Sequence, residues 1–300
     1  MKKKTYLFAL MAMVLTLGSC SDNENGIGGE TSKYITVSTS IGNMTRVATD
    51  EKGGQTFEEG DEISVYAWTG DATVAPETCE RVVNNAINKL TNGSWISNPQ
   101  MLWKNNRDKH YFIGVYPISA ISDLSAGEYT FDETKQVESD LLVAVNKDGL
   151  SYNVDEPQTV PLTFTHVMAK LAVNLTYKNQ WGGIPTVEKV VVGNAAKEAT
   201  INYLTKVVTP STTAKEDFSL PEITENTKYV SVIIPQEEVT QLTIVIGGKN
   251  FVYDNGTPFK LESGKITTVN LEVGRDEIKL GDVKITNWED GSTFSGEALN

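Results

Sequence analysis

The 300-residue sequence holds two cysteines and two histidines. That is too little material for a disulfide framework or a His/Cys metal site. Positive charge is also scarce: 26 Lys and Arg stand against 39 Asp and Glu, a net charge of −13. Nucleic-acid binding needs a basic face to displace counterions, so no nucleic-acid partner is expected. The same balance opposes electrostatic docking on anionic lipid. Beyond the first 20 residues no run is long and apolar enough to span a bilayer. Helical periodicity is almost missing. Val82–Leu90 (VVNNAINKL) is one short helix candidate, weakened by Asn84 and Asn85 at its centre.

Catalytic signatures are missing as well. No Ser sits in a G-x-S-x-G elbow, and no Gly-rich phosphate loop precedes Lys-Ser/Thr. Calcium loops of the D-x-D-x-D-G kind do not occur. His110 and His166 each stand at a strand end and read as structural or exposed, and Cys79 has no neighbouring His. Carboxylates are numerous enough to leave a paired-carboxylate glycosidase open, but a solvated acidic surface is the plainer reading. The expectation is therefore a non-enzyme with no metal and no cofactor.

What is present begins at the N-terminus. Lys2, Lys3 and Lys4 precede an apolar stretch, Tyr6–Leu17, that is too short for a membrane span. Residues 1–19 thus read as a signal peptide. Its end, Leu17-Gly18-Ser19-Cys20, resembles a bacterial lipobox, which implies acylation of the Cys20 thiol. The alternative is an ordinary signal peptide that happens to contain a Cys. Residues 20–32 are polar, acidic and Gly-rich, a flexible tether. They also resemble the surface-export signal of Bacteroidetes lipoproteins.

The rest alternates with period two. Strands are expected at 35–41, 63–68, 111–116, 141–145, 160–164, 171–177, 187–192, 229–234, 242–246, 266–273 and 278–288. They are rich in Val, Ile, Thr and Tyr and bounded by Gly, Asn, Asp and Pro. Strands without intervening helices predict an all-β protein of two antiparallel β-sandwich domains in tandem, at 33–158 and 159–300. Lys206–Pro221 reads as a loop or hairpin excursion. Trp68 and Trp288 read as core. For Trp95, Trp103 and Trp181, core and a sugar-stacking platform both stay open.

Several elements occur in a telling order. They are the lipobox, Phe57-Glu58-Glu59-Gly60-Asp61-Glu62-Ile63-Ser64-Val65, Tyr111–Pro117, and Ser139-Asp140-Leu141-Leu142. Leu162-Thr163-Phe164-Thr165-His166-Val167-Met168-Ala169-Lys170-Leu171 follows, matching L-x-F-x-H-x-x-A-K-L. Then come Ile234-Pro235-Gln236, Ser263-Gly264-Lys265 with Asn270-Leu271, and Ile285-Thr286-Asn287-Trp288. The set resembles the FimA/Mfa-like fimbrillins of Bacteroidales, the lipoprotein-derived type V pilins, over nearly the whole chain.

The resemblance implies transthyretin-like, Greek-key sandwiches and a pilus subunit serving adhesion. It implies export as an outer-membrane lipoprotein anchored through Cys20, then cutting by an arginine-specific protease after an Arg that follows the first strand. Arg46, the only Arg before Arg81, fits that role, with Val47 as the new N-terminus. An uncut Arg46, as in anchor subunits that keep their lipid, is the alternative. The removable strand would be 33–46, with Ile35, Val37, Thr39 and Ile41 on one face. A C-terminal strand of another subunit, here drawn from Ile278, Leu280, Val283 and Ile285, would fill the vacated groove by β-augmentation. The polar tail Glu289–Asn300 departs from a clearly apolar donor. Expected partners are other pilin subunits in a homo- or hetero-polymer, the protease, the outer membrane, and a host or bacterial surface receptor. A surface carbohydrate-binding lipoprotein of a glycan-uptake system is the competing reading.

Overall fold

Branched apolar residues alternating with Thr, Ser, Asn and Lys build strands along nearly the whole chain. The computed structural model describes residues 33–42, 56–153, 155–156 and 158–288. The first eight strands are β1 (Thr36–Ile41), β2 (Glu62–Thr69), β3 (Val83–Thr91), β4 (Ser94–Asn98), β5 (His110–Tyr116), β6 (Gly127–Thr130), β7 (Leu142–Leu150) and β8 (Thr159–His166). They are followed by β9 (Ala169–Tyr177), β10 (Val187–Ala196), β11 (Glu198–Asn202), β12 (Val207–Pro210), β13 (Lys215–Ser219) and β14 (Glu222–Thr224). The last are β15 (Lys228–Ile233), β16 (Gln236–Ile246), β17 (Lys249–Leu261), β18 (Lys265–Val273) and β19 (Ile278–Asn287).

Seven strands form the first sheet, in the order β1-β8-β7-β5-β2-β3-β4. It curls until its two edges meet. Ile35 N–H donates to the Met101 carbonyl at 2.9 Å and Trp103 N–H to the Lys33 carbonyl at 3.3 Å. The curled sheet encloses a core that includes Ile63, Val65, Phe112, Leu142, Val160 and Phe164. Ile35 and Val37 belong to the same core, so β1 seals the sheet.

The second half holds a four-stranded sheet, β13-β10-β16-β17, and a five-stranded sheet, β14-β15-β9-β18-β19. Both contribute to one large core, with Val190 and Leu242 from the first and Val173 and Val269 from the second. That core also takes Tyr66, Trp68, Ile113 and Val143 from the first sheet. A third sheet, β12-β11-β6, pairs β6 from the first half with β11 from the second. The halves are therefore joined by backbone hydrogen bonds as well as by packing. β8 also runs into β9 through only Val167 and Met168, both fully buried.

The all-β expectation holds, and several details differ. Two pairings are parallel rather than antiparallel, β1 with β8 and β9 with β18. Parallel neighbours need a long crossover. Here the intervening strands provide it, so no helix is required. β8 pairs with β1 and β7, so the first sheet runs to His166 rather than ending at a boundary between 158 and 159.

The Val82–Leu90 run holds strand β3 from Val83 onward rather than a helix, and a bulge explains the misleading spacing. Val65 and Ala67 of β2 face Ala86 and Val83 of β3, leaving an extra residue between them. Asn85 takes φ of +55° there, which puts Val83 and Ala86, three apart, on the same inward face. Lys206–Pro221 contains two short strands, β12 and β13, which belong to different sheets.

Candidate functional site

The first strand is held in the first sheet by backbone pairing on one face of the groove and by side-chain packing within it. β1 lies parallel to β8 in unbroken register, from Thr36 opposite Thr159 to Ile41 opposite Phe164. Ile35 and Val37 are 2% and 6% exposed, and Thr39 and Ile41 are half-buried. Thr36, Ser38 and Ser40 face solvent. Outside the sheet, Thr36 and Thr159 share a hydroxyl hydrogen bond of 3.1 Å, and Ser40 donates to Thr163 at 3.2 Å. Inside, Trp95 Nε1–H donates to Thr39 Oγ1 at 3.0 Å. Phe57 covers the neighbouring space, edge-on to Trp95, Tyr116 and Phe164 at 5.3, 5.3 and 5.1 Å. The F-x-x-G-D element thus helps wall the compartment that holds β1. Asp61 fixes its turn by accepting the Glu58 N–H at 2.7 Å.

Towards the other end of the chain, β19 is an edge strand that, among the described residues, pairs only with β18. Ile278, Leu280, Val283 and Ile285 are spaced two, three and two apart, which in a regular strand would split them between faces. A bulge between Leu280 and Asp282 absorbs the extra residue. Leu280 then lies opposite Leu271, Val283 opposite Val269 and Ile285 opposite Thr267, all on one face. The face is covered unevenly. Ile278 and Leu280 are half-buried, whereas Val283 and Ile285 are 37% and 38% exposed.

The last described residue, Trp288, is 4% exposed and closes a cluster built from distant motifs. The His166 ring stacks on its indole, with centroids 4.2 Å apart and planes within 8°. His166 Nδ1 is 2.8 Å from Asp140 Oδ1. Lys170 Nζ stands 4.3 Å from the indole centroid. Burial pushes the Lys170 ammonium below its usual range, and Asp140 pulls against that. Trp288 N–H donates to the Gly264 carbonyl at 3.0 Å. Gly264 has φ of +67°, and a Cβ there would lie 3.0 Å from the His166 carbonyl oxygen, so the position suits glycine alone. Asp140, His166, Lys170, Gly264 and Trp288 come from four separate sequence motifs and meet where the two halves join.

Cys20, Arg46 and Val47 lie outside the described residues, as do the signal peptide, the tether and the tail beyond Trp288. Trp103 is buried in the first core, stacked on Tyr152. Trp181 packs edge-on against Phe251, and Trp95 faces β1. Among the described residues no tryptophan ring packs against another. The sequence left Trp95 undecided and missed the backbone of Met101 and Trp103, which ties down the start of β1. Backbone pairing in a loop leaves no side-chain pattern to read.

Comparison with known proteins fits this architecture. A family model described as fimbrillin-like matches residues 45–288. A protein described as fimbrium subunit Fim1C of Bacteroides uniformis is 25% identical, with 97% of each chain covered. A crystal structure described as a cell adhesion protein of Bacteroides ovatus superposes with a TM-score of 0.65 at 17% identity, over 86% of this chain and 98% of that one. A fimbrial protein structure of Bacteroides vulgatus gives 0.53 at 12% identity, over 84% and 99%. These structures share the fold. The family match spans most of the sequence, and the chain belongs to the fimbrillin-like family, one of structural fimbrial subunits and not of enzymes.

Proposed function

We propose that this protein is a subunit of a cell-surface fimbrium, assembled by strand replacement. In this reading it is exported as an outer-membrane lipoprotein through Cys20. Cutting after Arg46 by an arginine-specific protease then frees β1. The last strand of a neighbouring subunit takes its place, and the finished fibre serves adhesion to a host or bacterial surface.

The observation that carries the reading is the placement of β1. It is a short strand that pairs with β8 on one side and fills a gap in an otherwise curled sheet. Parallel pairing is slightly less stable per residue than antiparallel pairing, which suits a strand meant to leave. Its removal would bare the β8 edge and the inward groove, and an open edge is a template for another strand. β19 offers the complementary object, an edge strand at the end of the described chain with its apolar residues on one face.

The test is the intact mass of the protein taken from the native cell surface, paired with a deletion. A species beginning at Val47 without lipid, and polymerisation or aggregation on deleting residues 31–46, are the expected results. A species beginning at acylated Cys20, together with a soluble monomeric deletion protein, would overturn the polymerising role.

A further inference from the structure

Trp95 makes the one side-chain hydrogen bond described from the groove wall to an inward side chain of β1. Its indole nitrogen is a donor only. Once β1 leaves, that half-buried N–H needs a new acceptor or is left shielded and unpaired under an apolar replacement. For a half-buried donor the loss lies at the lower end of the range for an unpaired donor, about tenfold in binding. The hydroxyl pairs Thr36–Thr159 and Ser40–Thr163 face solvent, where water replaces either partner. They carry little selectivity. The groove therefore reads a short pattern: a branched aliphatic at the Ile35 position, another at Val37, and an acceptor at Thr39.

We propose that Trp95 selects the replacing strand by requiring an acceptor at the third inward position. The matching occupant is Val283-Lys284-Ile285-Thr286-Asn287 of a second copy, with Asn287 in the place of Thr39. The inference rests on the strand-replacement reading and adds to it the register and the residue that checks it.

The spacing agrees. Ile35, Val37 and Thr39 recur at every second residue, as do Val283, Ile285 and Asn287. Asn287 carries a carbonyl oxygen that accepts the indole N–H. Val283 and Ile285 are the less covered half of their own strand's apolar face, at 37% and 38% exposed, so their side chains give up less burial on leaving it than Ile278 and Leu280 would. The other half fits worse. Ile278 and Leu280 would bring Asp282 to the third position, where a carboxylate could accept the indole N–H but gives up more hydration than an amide in this half-buried place.

The experiment begins with the full chain. Thr39→Val, Trp95→Phe and the double variant are compared by urea unfolding. Coupling is expected, with the double variant no less stable than the weaker single one and an interaction worth about tenfold in the unfolding constant. The second arm uses chain digested with an arginine-specific protease and peptides of residues 33–42 and 281–288. Thr39→Val in the first peptide, or Asn287→Leu in the second, is expected to weaken displacement of β1 at least tenfold on the wild-type groove. On Trp95→Phe the difference vanishes. Additive unfolding effects, or equal displacement by both forms of each peptide, would overturn the role of Trp95 while leaving strand replacement standing. A coupled cycle with no displacement by any peptide would overturn strand replacement, and the proposed selection with it.

Discussion

Replacing Trp288 by alanine should loosen the last strand before it unfolds the protein. The indole is 4% exposed and is held between the His166 ring at 4.2 Å and the Lys170 ammonium at 4.3 Å. Large aromatic-to-alanine changes in cores cost about 3–5 kcal/mol. The ring stack accounts for about 1 kcal/mol of that and the desolvated cation–π contact for about 2 kcal/mol. Trp288 ends an edge strand, where the surroundings collapse more easily than in a closed core. The lower bound, about 3 kcal/mol, therefore applies. At 1.4 kcal/mol per tenfold, local opening of β19 becomes about a hundredfold more frequent. Amide hydrogen exchange reads this directly. Protection should fall across 283–287, fall less in β18, which keeps its β9 partner, and stay unchanged in β2 and β5. Trp288→Phe keeps a ring against His166 and should lose about half as much. Unchanged protection at 283–287 in Trp288→Ala, with a global loss under about 1 kcal/mol, would refute the view that this cluster fastens the strand.

Other expectations follow from single positions. Ile35→Ala should cost about 2–5 kcal/mol and Thr36→Ala under about 0.5 kcal/mol in chemical denaturation, because only the first faces the core. Gly114→Ala should cost about 1–3 kcal/mol, since a Cβ there would lie 2.6 Å from Phe164 Cζ and 3.1 Å from Leu162 Cδ1. Stability should also fall with pH through His110. Its Nε2 accepts the Lys104 N–H at 3.0 Å and its ring is fully buried, so burial holds its pKa below the usual value. The unfolded chain then binds more protons in the window below the ordinary value of about 6.5. The stabilisation present above that value is lost as pH falls towards the folded pKa. Denaturation midpoints at pH 7.5 and 5.0 should differ less in His110→Gln than in the wild type.

Much of this was legible in the sequence because the strands follow ordinary alternation. The inward set Ile35, Val37, Thr39 and Ile41 could be read from polarity alone, and β1 shows that alternation. Where bulges intervene, alternation breaks. Asn85 made β3 look helical, and in β17 the run Asp254-Asn255-Gly256-Thr257-Pro258 carries the marks of a turn. There the pairing with β16 jumps from Asp254 to Phe259, so the strand resumes after an irregular stretch. The parallel pairings were illegible for a different reason. They join segments far apart in sequence, and no local pattern records the direction of a distant neighbour. The Trp288 cluster was half legible. Its motifs stood out one by one, but their convergence is a property of topology.

The passage from β8 to β9 has a mechanical meaning. In a fibre, tension would enter one subunit along the groove beside β8 and leave through β19. β9 lies one strand from β19, across β18, and β8 reaches β9 through Val167 and Met168, both fully buried. Load would therefore pass from neighbour to neighbour along continuous backbone and adjacent hydrogen-bond ladders, with no flexible linker in its path. β6 and β11 would act as a brace beside that line, resisting rotation of one half against the other. Such a filament would yield by shearing ladders rather than by stretching hinges.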